Sequence, residues 1–299
     1  MRAGKMHEGE PDIDVPLVRR LVAEQFPQWA GLPAERVDSS GTDNAMFRLG
    51  DDLAVRLPRI AWAVDAVALE QRWVPWLAPR LPVELPVPVG RGRPGAGYAW
   101  DWTVVRWLDG VNPVAGHLAE PVSLAKELAG FVVALREIDP ADGPPAGRGV
   151  PLADRDQPTR AAIAQLRGLV DTDAVTAVWE AALRIPEREG PPAWMHGDLS
   201  PGNVLLAGGR LSAVIDFGAA GVGDPSVDLF PAWNLLPAAA RDAFREGVGA
   251  DDDEWARGRG WALSIALIQL PYYRETNPRL AASARHVIRE VLADRGFAA

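Results

Sequence analysis

The stretch WMHGDLSPGNVLLAGGRLSAVIDFG, residues 194–218, decides the fold of this chain. A His, an Asp and an Asn lie close together in apolar surroundings, and a second Asp follows thirteen residues after the Asn. Residues 204–206 and 211–215 are typical of short β-strands, and the Gly-Gly-Arg turn at 208–210 joins them into a predicted hairpin. Because a hairpin brings its two ends together, these polar side chains are expected to form one cluster.

The predicted cluster has the composition of a metal and acid–base site. Carboxylate and carboxamide oxygens are ligands for a hard cation, and Mg²⁺ is typical when phosphates supply the remaining ligands. A carboxylate just upstream could accept a proton from an attacking hydroxyl. Taken singly, Asp198, Asn203 and Asp216 are each better explained as turn or capping residues. Their occurrence together favours the functional interpretation.

Two motifs in this stretch resemble those of the aminoglycoside phosphotransferase family. HGDLSPGN at 196–203 is similar to the catalytic loop of that family, and IDFG at 215–218 is similar to its metal-binding segment. The family consists of small-molecule kinases that share the protein-kinase fold. The likeness covers most of the chain, and the two motifs in this order and spacing are far more specific than either alone.

The resemblance implies a role for each polar residue of the motifs. Asp198 is expected to be the catalytic base, and Asn203 and Asp216 are expected to hold Mg²⁺ against the phosphates of ATP or GTP. His196 is expected to brace the loop. Asp228, in the downstream segment GVGDPSVDLF, is expected to support the loop by accepting backbone N–H bonds.

The resemblance also implies phosphate-binding residues nearer the N-terminus. The turn SSGTDN takes the place of the phosphate-covering loop, where Ser40 and Gly41 could offer backbone N–H groups. An ordinary hairpin turn is the alternative. Arg56 stands where the wider kinase pattern has Lys, and its guanidinium fork also grips phosphate. Glu70, on the following predicted helix, is its expected partner, and a surface helix carboxylate is the alternative.

The segment VVRWLDG at 104–110 resembles a kinase hinge. The edge of a nucleobase pairs with backbone groups of such a segment, so side-chain identity matters little there. By register, Arg106 and Leu108 would supply these backbone contacts. A plain connector between domains is the alternative.

Strands come first in this sequence and helices follow. Helices are predicted at 12–26, 63–78, 121–138, 158–169, 172–184, 235–248, 252–270 and 278–295. The segregation predicts an α+β, protein-kinase-like fold of two lobes. The β-rich nucleotide-binding lobe is placed at 1–107, and the helical lobe with the catalytic loop and acceptor site at 108–299. Residues 1–11 read as a loose leader, in which Met6 is an alternative start to Met1.

Composition excludes several classes of function. The chain of 299 residues has no Cys, so disulfides, thiolate nucleophiles and Cys-ligated zinc are excluded. The formal net charge of −9 disfavours nucleic acid and suits a cationic small molecule. No apolar run is long enough for a membrane span, and no signal peptide is recognised. A cytoplasmic monomer or homodimer is the expectation.

Aromatic and acidic side chains of the helical part are the candidates for acceptor binding. They are Asp224, Trp261, Tyr272 and Glu275, although Asp224 is explained more simply as a helix cap. The run DDDE at 251–254 is typical of a solvated helix start. The aromatic residues are compatible with a macrolide and the acidic residues with an aminocyclitol sugar.

The sequence therefore predicts a phosphotransferase with an alcohol group as acceptor. Its expected reaction transfers the γ-phosphoryl group of ATP or GTP to a hydroxyl of an antibiotic such as an aminoglycoside or macrolide, which would confer resistance. A kinase of a metabolite, such as a sugar, a choline-like amine or an amino alcohol, is the alternative with the same chemistry. A nucleotide-binding module without catalysis is an alternative of another class, but the intact motif residues argue against it.

Overall fold

The structure, a computed structural model, describes residues 9–38 and 41–294. Its helices are α1 (Val15–Gln25), α2 (Trp62–Leu77), α3 (Pro121–Arg136), α4 (Asp156–Gln165), α5 (Thr172–Ala182), α6 (Pro231–Asn234), α7 (Ala238–Val248), α8 (Asp252–Tyr273) and α9 (Pro278–Ala293). Its strands are β1 (Ala34–Arg36), β2 (Asn44–Leu49), β3 (Leu53–Pro58), β4 (Pro88–Gly92), β5 (Trp102–Arg106), β6 (Ala193–Met195), β7 (Val204–Ala207), β8 (Arg210–Val214) and β9 (Gly221–Gly223). The chain divides into two compact units. The first unit consists of the chain up to Gly110 together with the separate segment Ala213–Gly218. The second unit consists of Val111–Ser212 and the residues from Ala219 onward.

A five-stranded antiparallel sheet in the order β1-β2-β3-β5-β4 forms the first unit. Strand β2 alternates half-buried and buried positions, so Phe47 and Leu49 point into one core. Helix α1 packs Leu21 against that core, and Asp14 caps the helix by accepting the N–H of Leu17 at 2.9 Å. Burial of a side chain such as Phe47 contributes about 1.5–3 kcal/mol to the free energy of unfolding. This core supports β3, which carries the predicted phosphate-binding arginine.

The N-terminal segment packs against this sheet. Glu10 is buried and pairs with the buried Arg59 at 3.5 Å, and the Arg36 guanidinium donates to the carbonyl of Ile13 at 2.8 Å. Residue 10 is therefore fixed, which contradicts the expectation of a loose leader at this position. Residues 1–8 of that leader, including Met6, lie outside the described residues.

The second unit is mostly helical and is organised around α8. This helix buries residues on all its faces, against α9, α4 and α5. Gly258 and Gly260 permit close approach, since a Cβ on Gly258 would lie 2.7 Å from that of Leu229 and one on Gly260 2.8 Å from a methyl carbon of Leu152. None of the helices in the described ranges is long and apolar enough to cross a membrane.

The α+β class is confirmed, and so is the predicted hairpin of β7 and β8. Gly208 and Gly209 at its turn have φ of +58° and +81°, the left-handed pair that a type I′ turn needs. Helix α2, predicted at 63–78, spans Trp62–Leu77 with Pro75 inside it.

The division of the chain differs from the sequence expectation in one segment. Residues Ala213–Gly218 belong to the first unit, although the predicted boundary at 107/108 placed them in the helical part. The reason is local contact, because the N–H of Val214 donates to the carbonyl of Glu84 at 3.1 Å and Gly218 lies close to Ala66. Asp216 is therefore described with the β-rich unit.

Candidate active site

The catalytic-loop motif leaves a buried strand through a sharp turn. Strand β6 is buried along its length, and Gly197, two residues after it, has a φ of +79°. A Cβ at this position would lie 2.7 Å from the carbonyl oxygen of Ala219. Both the backbone conformation and the available space therefore require glycine. The turn fixes the point at which Asp198 leaves the core.

Asp228 and His196 hold this turn from the interior of the second unit. Asp228 is only 1% exposed, and its carboxylate accepts the backbone N–H groups of His196 at 2.7 Å and Gly197 at 2.8 Å. Burial raises the pKa of Asp228, while the two N–H bonds and the positive charge of Arg136 act in the opposite direction. His196 is fully buried, and its Nδ1 accepts the N–H of Asp198 at 3.2 Å. Both residues make the contacts that their predicted supporting roles require.

The Asp198 side chain is partly exposed and has a partner on each carboxylate oxygen. Its Oδ1 accepts a bond from Nη1 of Arg148 at 2.5 Å, and its Oδ2 accepts a bond from Nδ2 of Asn203 at 3.1 Å. The same Nδ2 donates to the Asp198 carbonyl at 2.9 Å. Both N–H donors of Asn203 are thus directed at Asp198, and the carboxylate is held as an oriented acceptor.

Asn112 ties the following turn to the rest of the second unit. Its Nδ2 lies within hydrogen-bond distance of the carbonyls of Pro201, Gly202 and Val204, at 3.3, 3.0 and 2.8 Å. The turn Pro201–Asn203 immediately precedes β7. Asn112 therefore fixes the backbone that carries Asn203.

The first unit contains a second cluster, formed by Arg56, Glu70 and Asp216. The Arg56 guanidinium pairs with Glu70 at 2.7 Å and with Asp216 at 3.5 Å. Burial alone would lower the pKa of Arg56, but the charges of Glu70 and Asp216 and the hydrogen bond to Glu70 raise it overall. Burial raises the pKa of Glu70, and Arg56 offsets part of this rise. The expected Arg56–Glu70 ion pair is present, whereas its role toward a nucleotide stays a prediction.

Asp216 combines exposure with a strained backbone. Its side chain is 41% exposed, unlike those of Arg56 and Glu70. Its φ of +65° lies in the left-handed region, which costs free energy for any residue other than glycine. Asp tolerates this conformation better than most residues. Such strain is typical of functional positions.

The residues expected to hold Mg²⁺ have suitable donor atoms. No group of three or more His, Cys, Asp and Glu gathers as a metal site in residues 9–38 and 41–294. Over the same ranges, Oδ1 of Asn203 has no hydrogen-bond partner, and the N–H donors of this amide point at Asp198. A carboxamide oxygen and the exposed Asp216 carboxylate are the hard ligands that Mg²⁺ takes beside phosphates. Asn203 lies in the second unit and Asp216 in the first, and their joint role stays a prediction.

The structure removes the N–H of Arg106 from the backbone groups that the hinge expectation could use. This N–H donates to the carbonyl of Val87 at 3.2 Å, and the N–H of Trp107 donates to that of Asp52 at 2.8 Å. The sheet therefore uses the Arg106 N–H, which cannot also bond a nucleobase. Leu108 is the first residue after β5 whose backbone forms no hydrogen bond within the described residues.

Only part of the predicted phosphate-covering loop is described. Ser40 lies outside the described residues, and Gly41 is exposed. The next turn of chain is held by Asp43, whose carbonyl accepts the N–H of Arg59 at 2.7 Å and whose carboxylate accepts the indole N–H of Trp62 at 3.2 Å. The role of Ser40 and Gly41 toward phosphate stays a prediction.

The candidate acceptor residues lie in different environments. Trp261 is fully buried within α8, which contradicts the expectation that it contacts a substrate. Asp224 caps the turn that begins at Pro225 by accepting the Ser226 N–H at 3.0 Å, which agrees with its interpretation as a cap. Its carboxylate also pairs with Arg257 at 3.1 Å, beside a cavity of about 240 Å³.

Tyr272 and Glu275 remain accessible at the end of α8. Tyr272 is 51% exposed and its ring contacts that of Tyr273, while Glu275 is exposed and pairs with Arg274 at 2.8 Å. Their role toward an acceptor stays a prediction. The acidic run at the start of α8 has structural partners, since Asp251 caps the helix, Asp252 pairs with Arg245, and Glu254 with Arg136.

Arg148 and Asn112 are the contacts of the catalytic loop that sequence reasoning missed. Arg148 lies in the segment DPADGPPAGRGVP, whose Pro and Gly content indicates only a loop. The one sequence feature that could have pointed to Arg148 is its charge between two glycines, at 147–149. Asn112 carries no motif, and only the structure shows that it bonds the turn before β7.

A sequence profile of the phosphotransferase enzyme family matches residues 35–261, which include both clusters. The chain belongs to this family. An aminoglycoside 3'-phosphotransferase from Escherichia coli is 36% identical to this phosphotransferase over 78 residues. That match spans 23% of the present chain and 29% of the curated relative.

Solved structures resemble this phosphotransferase over nearly its whole length. The GDP and kanamycin complex of APH(2")-IIIa has a TM-score of 0.76 at 20% identity, with 92% of this chain and 97% of that chain covered. The macrolide 2'-phosphotransferase MphH from Brachybacterium faecium has a TM-score of 0.61 at 21% identity, with the same coverage of 92% and 97%. At these identities the likeness shows the fold, which is that of the kinase-like aminoglycoside phosphotransferases.

Proposed function

We propose that this phosphotransferase transfers the γ-phosphoryl group of ATP or GTP to a hydroxyl of an antibiotic such as an aminoglycoside or macrolide. The observation that carries the proposal is the Asp198 carboxylate. It is partly exposed, oriented by Asn203, and supported by the buried His196 and Asp228. A carboxylate held in this way is prepared to accept the proton of an attacking hydroxyl.

The second unit would act mainly by positioning. The acceptor hydroxyl bonds to Asp198, whose orientation is fixed before the acceptor binds. Positioning and electrostatics supply most of the catalysis in phosphoryl transfer, because no covalent intermediate on the protein is needed. The restraints on Asp198 therefore bear directly on the rate.

The first unit would bind the nucleotide. Arg56, oriented by Glu70, would grip phosphate oxygens, and the backbone of Gly41 would bond phosphate. The free backbone groups of Leu108 would pair with the nucleobase. Nucleotides in solved structures of the fold, such as the GDP bound to APH(2")-IIIa, support a nucleotide co-substrate.

Asn203 and Asp216 would hold Mg²⁺. The metal, when bound, neutralises charge on the nucleotide phosphates. Asn203 would contribute its amide oxygen and Asp216 its exposed carboxylate. Neither residue needs to break a strong bond to do so.

The antibiotic class rests on the relatives, since the similar proteins include an aminoglycoside phosphotransferase and a macrolide phosphotransferase. The test is an acceptor panel with purified protein, Mg²⁺, and either ATP or GTP. It should contain aminoglycosides, macrolides, sugars, choline-like amines and amino alcohols. Nucleotide consumption gives the rate, and mass spectrometry shows which acceptor carries the new phosphate.

We expect an antibiotic from one of the two classes to raise nucleotide consumption far above the rate with water alone. Phosphorylation of a sugar or amino alcohol and of no antibiotic would show that the protein is a metabolite kinase. Nucleotide binding without any turnover would show an inactive binding module and overturn the proposal.

A further inference from the structure

Arg148 makes a contact that the motif residues do not explain. A single nitrogen, Nη1, donates to the carbonyl of Gly197 at 2.8 Å and to Oδ1 of Asp198 at 2.5 Å. One bond fixes the backbone of the loop, and the other fixes the carboxylate. The two side chains are 29% and 28% exposed, so the pair lies where an acceptor can reach it.

The segment before Arg148 runs along β9 and is paired with it. The N–H of Ala146 donates to the carbonyl of Val222 at 3.1 Å, and the N–H of Val222 donates to the carbonyl of Pro144 at 2.8 Å. On the other side of Arg148, the carbonyl of Gly149 accepts the N–H of Asp224 at 2.8 Å. Arg148 is therefore held between two backbone anchors.

Glycines allow this close packing. A Cβ on Gly143 would lie 2.3 Å from a methyl carbon of Val222, and one on Gly149 would lie 2.4 Å from the sulfur of Met195. Gly149 also has a φ of +78°. The path of the segment is fixed by these contacts, which sets the Arg148 side chain beside the catalytic loop. A surface arginine that met Asp198 by chance would need no such support.

We propose that Arg148 is a positioning residue for phosphoryl transfer, which holds the Asp198 carboxylate in the orientation that receives the acceptor proton. The inference rests on the proposed function. In the reaction, the acceptor oxygen bonds to the γ-phosphorus, and the bond from that phosphorus to the β–γ bridging oxygen breaks. The nucleoside diphosphate leaves with the electron pair, and the acceptor proton passes to Asp198.

The Asp198 carboxylate can still accept a hydrogen bond from the acceptor hydroxyl. Each carboxylate oxygen can accept more than one hydrogen bond, so Arg148 on Oδ1 and Asn203 on Oδ2 do not saturate Asp198. Together they fix the carboxylate plane. Without Arg148 the carboxylate would keep only the bond from Asn203 on Oδ2. Misplacement of a reacting group by about 1 Å costs up to about 100-fold in rate.

The test compares Arg148→Met, Arg148→Lys and a control, Arg160→Met. Arg160 also pairs with an aspartate, Asp156 at 2.7 Å, on the exposed surface of the same unit. The assay measures hydrolysis of ATP or GTP with water as acceptor, together with transfer to the best acceptor of the panel. Nucleotide Kd and thermal melting of each variant are measured in parallel.

We expect Arg148→Met to lower kcat by about 10- to 100-fold with nucleotide Kd changed less than about threefold. Arg148→Lys should recover part of the loss, because an ammonium can replace one of the two bonds. Arg160→Met should match wild type. In an Asp198→Ala background, Arg148→Met should cost nothing further, since the arginine acts through the missing carboxylate.

Two results would overturn the assignment. One is a folded Arg148→Met with the wild-type kcat, and the other is an equal loss of rate with and without Asp198. If Arg148→Met does not fold, Arg148→Lys takes its place in the test. A kcat of Arg148→Lys as low as that of Asp198→Ala would contradict the proposal. A wild-type protein with no turnover on water or any acceptor overturns the proposed function itself, which keeps the two failures distinct.

Discussion

Replacing Asp228 by Asn tests how much the catalytic loop depends on one buried carboxylate. The carboxylate accepts two backbone N–H bonds, and hydrogen bonds to a charged group each contribute about 1.5–3 kcal/mol. Asn has the same shape, but its NH₂ group would face one of the two donors. One bond would be lost and a buried N–H left unpaired, at a cost of about 1–3 kcal/mol. Against this, Asn removes the cost of burying a charge, which is the main cause of the raised pKa of Asp228.

We expect the lost hydrogen bond to outweigh the relief of charge burial. The free energy of unfolding of Asp228→Asn should fall by about 1–3 kcal/mol, which corresponds to about 2–10 °C in Tm. The kcat should fall by about 10- to 100-fold, because the turn at Gly197 carries Asp198. Nucleotide Kd should remain near wild type, since the proposed nucleotide residues belong to the other unit.

The raised pKa of Asp228 adds a dependence on pH. The folded protein binds this proton more tightly than the unfolded chain, so Asp228 contributes stability below its ordinary pKa of 3.8. That contribution is lost as the pH rises through the raised pKa of the folded state. The difference in Tm between wild type and Asp228→Asn should therefore be largest at low pH and shrink as the pH rises.

Thermal melting over a pH series, with kcat measured near neutral pH, checks this prediction. Asp171→Asn is the matched control, because Asp171 also accepts a backbone N–H, from Ala174 at 3.0 Å, but as an exposed helix cap that Asn fills equally well. A variant at position 228 with wild-type stability and rate would refute the reasoning. A stability difference that grows with rising pH would refute the sign of the linkage.

Three further predictions test the other parts of the site. Arg56→Met leaves Glu70 buried without its partner, so the free energy of unfolding should fall by about 3–5 kcal/mol in denaturant titrations. The double variant Arg56→Met, Glu70→Leu should recover part of this lost stability. Unchanged stability of the single variant would contradict the pairing. Asp216→Ala should remove the dependence of nucleotide affinity on Mg²⁺ in calorimetry, whereas persistence of that dependence would exclude Asp216 as a metal ligand. Gly197→Ala should lower unfolding free energy by about 2 kcal/mol or more, because φ is positive and the carbonyl of Ala219 leaves no space; a neutral effect would show that the turn adapts.

Local patterns predicted much of the fold and the positions of the motif residues. The hairpin of β7 and β8 could be predicted because two adjacent glycines at its turn specify its geometry. The Arg56–Glu70 pair could be predicted because both residues lie on consecutive elements, fourteen positions apart. In both cases the interacting residues are close in sequence or belong to one recognisable motif.

Contacts between distant segments could not be predicted in this way. Arg148 meets Asp198 across fifty positions, through a loop whose path depends on pairing with β9. Trp261 was a plausible ligand platform by residue type, but burial on every face of α8 gives no periodic signal that would have excluded it. At Arg106 the sequence could not show that the sheet already uses its N–H.

The most direct test of the account is Asp198→Ala, compared with wild type for nucleotide binding and for phosphoryl transfer. Calorimetry in the presence of Mg²⁺ should give a nucleotide Kd close to wild type, because Asp198 is assigned to the acceptor proton and not to the nucleotide. Single-turnover transfer should be at least about 100-fold slower, the usual loss when a general base is removed. Wild-type turnover by Asp198→Ala would contradict the catalytic assignment, and a loss of nucleotide binding equal to that of Asp216→Ala would contradict the division of roles between the two carboxylates.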